Sequence, residues 1–203
     1  MLKDQLANIP AQEQQTQTVA MFVDPSGIIA APLGLLDPGA LVDEITNQTP
    51  VGPIVLRLST SFTSVRVVNS EGEELEAKIV MTDQPKGVVF LELLEPESPY
   101  AAIKVSEEKL TLESFDSLTF LNRLGPKFGY EPTIRRGNYV ETLTLPTTHS
   151  TFTGVVPEPG SVVFDSNGNF AGLSVIIFSE SPQMVVLPQS QMAPLVAKIV
   201  AAQ

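Results

Sequence analysis

His149 is the single imidazole in this chain of 203 residues, and there is no cysteine. It lies in the Thr/Ser-rich stretch LTLPTTHSTFTG, while Ser161 follows Gly160 at the head of a candidate strand. A serine oxygen attacks a carbonyl only when a base within hydrogen-bond reach takes its proton. Ser161 and His149 are therefore weighed first as a relocated nucleophile and base. Nothing in the spacing forces the two together, so the expectation is a strand-start serine and an exposed loop histidine. The absence of cysteine removes thiolate zinc sites, disulfides and a cysteine nucleophile.

The carboxylates give less. Asp83 and Asp165 stand beside turn residues, where a carboxylate commonly accepts bonds from nearby backbone N–H groups. Glu71, Glu73, Glu74 and Glu76 crowd a hairpin and read as a solvated surface rather than a calcium site. No HxH or DxDxDG pattern is present, and neither a metal nor another cofactor is expected. Lys and Arg total 12 against 23 Asp and Glu, a formal charge of −11. Nucleic acid is excluded as a partner, because phosphate binding needs clustered cations. Membrane insertion is excluded too, since no run approaches the roughly 18 apolar residues of a span. The first residues also lack the apolar core of a signal peptide.

These side chains must be positioned by many short strands. Seventeen prolines and thirteen glycines predict frequent turns. VAMFVD (19–24), PIVLRLS (53–59), SVRVVNS (64–70), ELEAKIVMT (74–82) and VVFLELL (88–94) are strand candidates in a first half. LTFLN (118–122), GNYVETLTL (137–145), SVVFD (161–165), NFAGLSVIIF (169–178) and MVVL (184–187) serve a second. Ser166-Asn167-Gly168 is a tight-turn signal. In SQMAPLVAKIVAA (190–202), Met192, Leu195, Val196, Ile199 and Val200 share one helical face. The expected division is 1–17 as a linker or short helix, 18–94 as a first β-unit, 95–115 as a connection, 116–188 as a second β-unit and 189–203 as a terminal helix.

Four segments in order carry a resemblance. FVDPSGIIAAPLGLLDPGALV (22–42) resembles the strand, turn and strand leading into a TNxHVV motif. VVNSEGEELEAKIVMTDQPKGVVFLEL (67–93) resembles the segment bearing a catalytic aspartate. PEPGSVVFDSNGNFAGLSV (157–175) resembles GNSGGPVFDxxGxVxGI, the nucleophile strand with its hairpin. MVVLPQSQMAPLVAKIV (184–200) resembles the closing strand and helix. Together they cover most of residues 19 to 201 and resemble the trypsin-like serine proteases of the HtrA type.

That resemblance implies an all-β fold of two six-stranded antiparallel β-barrels with a C-terminal helix. Carried over residue by residue, the histidine, aspartate and serine positions fall on Gly34, Gly87 and Pro159. None can relay a proton or attack a carbonyl. Pro159 also lacks the N–H that serves as an oxyanion donor in that family. The expectation is an inactive serine-peptidase homologue that binds a protein or an extended peptide, or acts as a scaffold. The matching strand edge, Gly172, Leu173, Ser174, Val175 and Ile176, would receive the peptide by strand addition. Alternatively, Val175 and Ile177 simply fill the second barrel. Two further readings stand beside it: a hydrolase with a relocated site, marked by two carboxylates about 5–9 Å apart, and a structural β-domain of a larger assembly. The resemblance also implies an extracytoplasmic or periplasmic setting, trimers and a following PDZ domain. No PDZ domain is expected within these 203 residues. Residues 1–17 hold none of the aromatics on which trimers of that family rely, so a trimer is not expected.

Overall fold

The computed structural model describes residues 13–37, 44–50, 52–57, 61–96, 99–145, 147–178 and 182–203. Most of the predicted N-terminal linker, the predicted Ser59 strand end and part of the inter-unit connection lie outside these residues. The predicted turns set the local geometry. β1 (Met21–Asp24) turns through Pro25-Ser26-Gly27 into β2 (Ile28–Pro32). The Asp24 carboxylate accepts the Ser26 N–H at 2.9 Å, and Gly27 adopts φ +98°, a conformation that favours glycine. A one-turn helix, α1 (Leu33–Leu36), follows β2.

A ribbon of β3 (Glu44–Thr49) and β4 (Gly52–Arg57) comes next. β5 (Val65–Val68), β6 (Glu74–Asp83) and β7 (Val88–Leu93) complete the first unit. Its sheet has five strands in the order β1-β2-β7-β6-β5, with the β3-β4 ribbon as a separate pair. The first unit is thus a half-barrel among the described residues, where six strands in a ring were expected.

The second unit closes. β8 (Ser117–Arg123), β9 (Pro132–Leu143), β10 (His149–Thr153), β11 (Val162–Phe164), β12 (Phe170–Phe178) and β13 (Pro182–Pro188) form a six-stranded barrel in the order β10-β13-β12-β11-β8-β9. The terminal helix α2 (Gln189–Val200) carries Pro194 and buries Met192, Val196 and Ile199.

Three apolar cores explain the strand patterns. Ile29, Ala31, Val89, Leu91 and Leu93 fill the half-barrel. Leu118, Phe120, Tyr139, Val163, Ala171 and Val186 fill the closed barrel. Between the two units lies the largest cluster, joining Ile28, Ala30, Val88 and Phe90 of the first to Leu173, Val175, Val185 and Leu187 of the second, with α2 against it. β2 and β7 have apolar residues on both faces because each lies between two cores. Val175 belongs to this shared core, which corrects the expectation that it fills the second barrel. Ile177, half-buried, packs against the same cluster. Among the described residues no helix is long and apolar enough to cross a membrane.

Candidate functional site

Gly87 and Leu33, the residue before Gly34, meet at the junction of the two units. α1 begins where β2 leaves the sheet, which buries Gly34. The Asp83–Gly87 turn reverses β6 into β7, closed by Gly87 N–H donating to the Gln84 carbonyl at 3.0 Å. The Gly87 carbonyl accepts the Leu33 N–H at 2.9 Å, tying the turn to α1 one residue before Gly34. Gly87 has φ +67°, and a Cβ there would stand 2.7 Å from the Ile176 carbonyl oxygen and 3.5 Å from Val175 Cβ. The first unit therefore touches β12 through a residue that has no room for a side chain.

The loop before β11 is knotted from within. The Ser161 hydroxyl donates to the Glu158 carbonyl at 2.6 Å and accepts from Asn122 Nδ2 at 2.8 Å. The Ser174 hydroxyl donates to the same carbonyl at 2.8 Å. Gly160 N–H donates to the Ser174 carbonyl, and Ser174 N–H to the Ser161 carbonyl. Gly160, at φ +85°, is pressed on Val19, whose carbonyl oxygen would lie 2.1 Å from an added Cβ. Pro159 stands half-buried in this loop, its carbonyl facing the Thr18 hydroxyl at 3.5 Å.

Ser161 and His149 are not a dyad. In the closed ring β10 and β11 stand three strands apart, on opposite sides of the barrel. Ser161 is 1% exposed, with its hydroxyl fully engaged. His149 is not the exposed loop residue expected: it too is 1% exposed. β10 begins at His149, and the loop before it packs on the Asp83–Gly87 turn through Thr147, whose hydroxyl donates to the Pro85 carbonyl at 3.0 Å. That hydroxyl's one proton is thereby used, so at 3.1 Å it accepts from His149 Nδ1, which is the protonated nitrogen. Nε2 is buried without a hydrogen-bond partner. Burial pulls the imidazole below its ordinary value and the Lys86 ammonium adds to this; backbone groups of Lys86 and Thr147 and the Asp83 carboxylate act the other way.

Both singled-out aspartates serve turns. Asp83 forms an ion pair with Lys86 at 2.8 Å and accepts the Lys86 N–H at 3.1 Å. Asp165 accepts the N–H groups of Asn167 and Asn169 and the Asn169 side-chain amide at 2.8–2.9 Å. Burial alone raises its carboxyl, but these bonds outweigh burial and hold it below the usual range. The described residues contain no group of three potential metal ligands.

The proposed peptide edge is mostly interior. Gly172 and Leu173 pair with β11 on one side and β13 on the other. The Ser174 backbone is taken by Gly160 and Ser161, and Val175 is 0% exposed. Ile176, half-buried, is the first residue of the five with both partial exposure and no β11 partner. Asn122, Thr18, Val19 and the Glu158 carbonyl organise this region, yet sequence patterns do not reveal them. Thr18 and Pro159 are 141 positions apart, and no local periodicity encodes such a contact.

A deep groove opens beside these residues, with a volume of about 1020 Å³. Arg123, Leu124, Tyr130, Glu158 and Pro159 line it from the second unit, and the unclosed interior of the half-barrel with Leu35 and Leu36 lines it from the first.

A closed barrel and a half-barrel of antiparallel strands, packed across a shared core and finished by a helix, make this a trypsin-like fold. Among solved structures the chain is similar to the MamO protease domain from Magnetospirillum magneticum in its apo form. The TM-score is 0.54 at 11% identity, over 93% of this chain and 91% of that one. No protein-family model matches the chain, and no curated protein matches it by sequence. The likeness is therefore one of fold.

One stability prediction follows from the knotted loop. Ser161→Ala strands the buried Asn122 amide and removes one donor to Glu158, so unfolding in urea should show a loss of about 1–3 kcal/mol. An unchanged midpoint would mean that the hydroxyl carries no structural role.

Proposed function

We propose that this chain is a non-catalytic module on a trypsin-like frame, a degenerate relative of the HtrA type that binds a protein or an extended peptide. The observation that supports the reading is the trio at the inter-unit junction. Gly34 and Gly87 are buried without side chains, Gly87 has no space for one, and Pro159 has neither hydroxyl nor N–H. Acyl transfer on this frame needs a nucleophile, a base and an oxyanion donor together. His149 and Ser161, the pair singled out as a relocated base and nucleophile, stand on opposite sides of the closed barrel.

The test is direct. Incubation with a fluorophosphonate probe should leave the protein unlabelled, and unfolded casein should stay intact beside an active trypsin control. Labelling that disappears in Ser161→Ala would defeat the proposal, because it would show a serine activated by groups that this geometry keeps apart.

A further inference from the structure

Among the described residues the half-barrel sheet ends at β1 and β5, and at β5 the backbone pairing says which groups the edge offers. Asn69 N–H donates to the Glu73 carbonyl, so that pair is hydrogen-bonded. Counting back along the register Val68↔Glu74, Val67↔Leu75, Arg66↔Glu76, Val65↔Ala77, the alternation of antiparallel pairs makes Val67 and Val65 the residues bonded to β6. Leu94 N–H donates to the Glu76 carbonyl on the far side, which agrees with this phase. Arg66 and Val68 therefore turn their N–H and C=O groups away from the sheet. β5 ends the sheet, so among the described residues these groups have no strand to pair with.

The same edge borders the 1020 Å³ groove. Its walls are β5 on one side and Thr16–Phe22 with Tyr100 on the other. Val65, Val67, Leu75, Phe22 and Tyr100 present half-buried apolar surface to it. Tyr100 stacks flat on Phe22 at 4.5 Å, which stiffens the wall opposite β5. A paired strand needs a free backbone edge and a place for alternate side chains, and both are here.

Charge selects the occupant. Arg66 is tied to Glu74 at 2.7 Å, Glu158 reaches Arg135 at 3.4 Å, and Arg123 donates to the Tyr130 carbonyl at 3.0 Å. Glu71 and Glu73, beside the end of β5, enter no ion pair among the described residues, on a chain of charge −11. A second copy paired antiparallel through the same edge would set each acidic hairpin against the stretch Ser61, Phe62, Thr63, Ser64 of the other, which offers Glu71 and Glu73 no cation. We infer that the groove takes an extended segment of another chain, with alternating apolar residues and a basic end against Glu71 and Glu73, which adds to β5 as a sixth strand.

This rests on the reading of a binding module but places binding in the half-barrel rather than on β12. The probe is a fluorescent eight-residue peptide alternating valine and threonine with two lysines at one end. Its anisotropy on titration with the full chain should saturate, and a version with glutamates for the lysines should bind about tenfold more weakly or worse. N-methylation of alternate peptide nitrogens should abolish binding in one register and spare it in the other, a result that requires no protein variant. Val68→Pro removes an outward N–H without breaking a β5–β6 bond and should weaken binding about tenfold, the scale of one or two lost hydrogen bonds. Glu71→Lys should erase the preference for the lysine peptide. Indifference to the methylation register, or no saturable binding, overturns the inference. So does a dimer in sedimentation that Val68→Pro dissolves, or stronger peptide binding by a chain lacking residues 1–12, since each names a different occupant. Fluorophosphonate labelling with normal peptide binding would defeat only the non-catalytic reading; absent peptide binding on an unlabelled protein would defeat only this one.

Discussion

Gly87→Ala should lower the stability of this protein by about 3 kcal/mol, and Gly87→Asp by at least as much. Two costs add. At φ +67° a residue with a Cβ sits in the left-handed region, worth roughly 1–2 kcal/mol. The new carbon also meets the Ile176 carbonyl oxygen at 2.7 Å. That oxygen is backbone of a central strand of the closed barrel, so relief requires moving β12 against the shared core. Overpacking of this kind costs about 1–3 kcal/mol. Gly72→Ala is the control: φ is +85°, but nothing lies within 4 Å of the added carbon, and the loss should stay near 1–2 kcal/mol. Urea midpoints for the two variants, compared at equal slope, separate the conformational cost from the contact. Equal losses would remove the claim that the Asp83–Gly87 turn is pressed on β12. They would also weaken the argument that a carboxylate has no place at this junction.

Turn chemistry and buried strands could be read from the residues themselves. Asp24-Pro25-Ser26-Gly27 and Asp165-Ser166-Asn167-Gly168 fall where short-range hydrogen bonds and positive φ need them. VVFLELL shows an apolar run because β7 faces two cores. The face of α2 followed from a 3.6-residue repeat in the same way, with Met192, Val196 and Ile199 buried. What could not be read was pairing between distant segments. Among the described residues the first unit is a half-barrel because β1 and β5 are not joined, and no local pattern announces an unmade pair. The Gly172–Ile176 edge looked available because its apolar alternation is the same whether one side of a strand is bare or covered by Gly160 and Ser161. His149 was misplaced for a related reason. A Thr/Ser-rich stretch reads as solvent-exposed, yet the Thr147 hydroxyl is directed at Pro85, 62 positions away, and draws the imidazole in with it.

Acidification should loosen the junction through His149. Its ring takes up a proton less readily in the folded chain, chiefly because it is buried. The unfolded chain binds that proton as pH falls through about 6.5, whereas the folded chain resists until lower pH. Between those points the unfolded state holds more protons, so stability is complete above pH 6.5 and declines below it. The decline ends once the folded imidazole is also charged. Protonation puts a charge on a ring whose Nε2 is buried and unpartnered, beside the Lys86 ammonium, with the Asp83 carboxylate already committed to Lys86 at 2.8 Å. The melting temperature should therefore fall between pH 7.5 and 5.5, by about 2–4 °C for each kcal/mol lost in a chain of this size. His149→Gln, neutral throughout, should be nearly flat over the same window. Asp165 does not confuse the measurement: its carboxyl is held below the ordinary value, so its stabilising bonds are lost only as pH falls below about 3.8. A variant that keeps the full slope from 7.5 to 5.5 would show that the transition belongs to other groups, and that the imidazole is not the pH-sensitive contact between the two units.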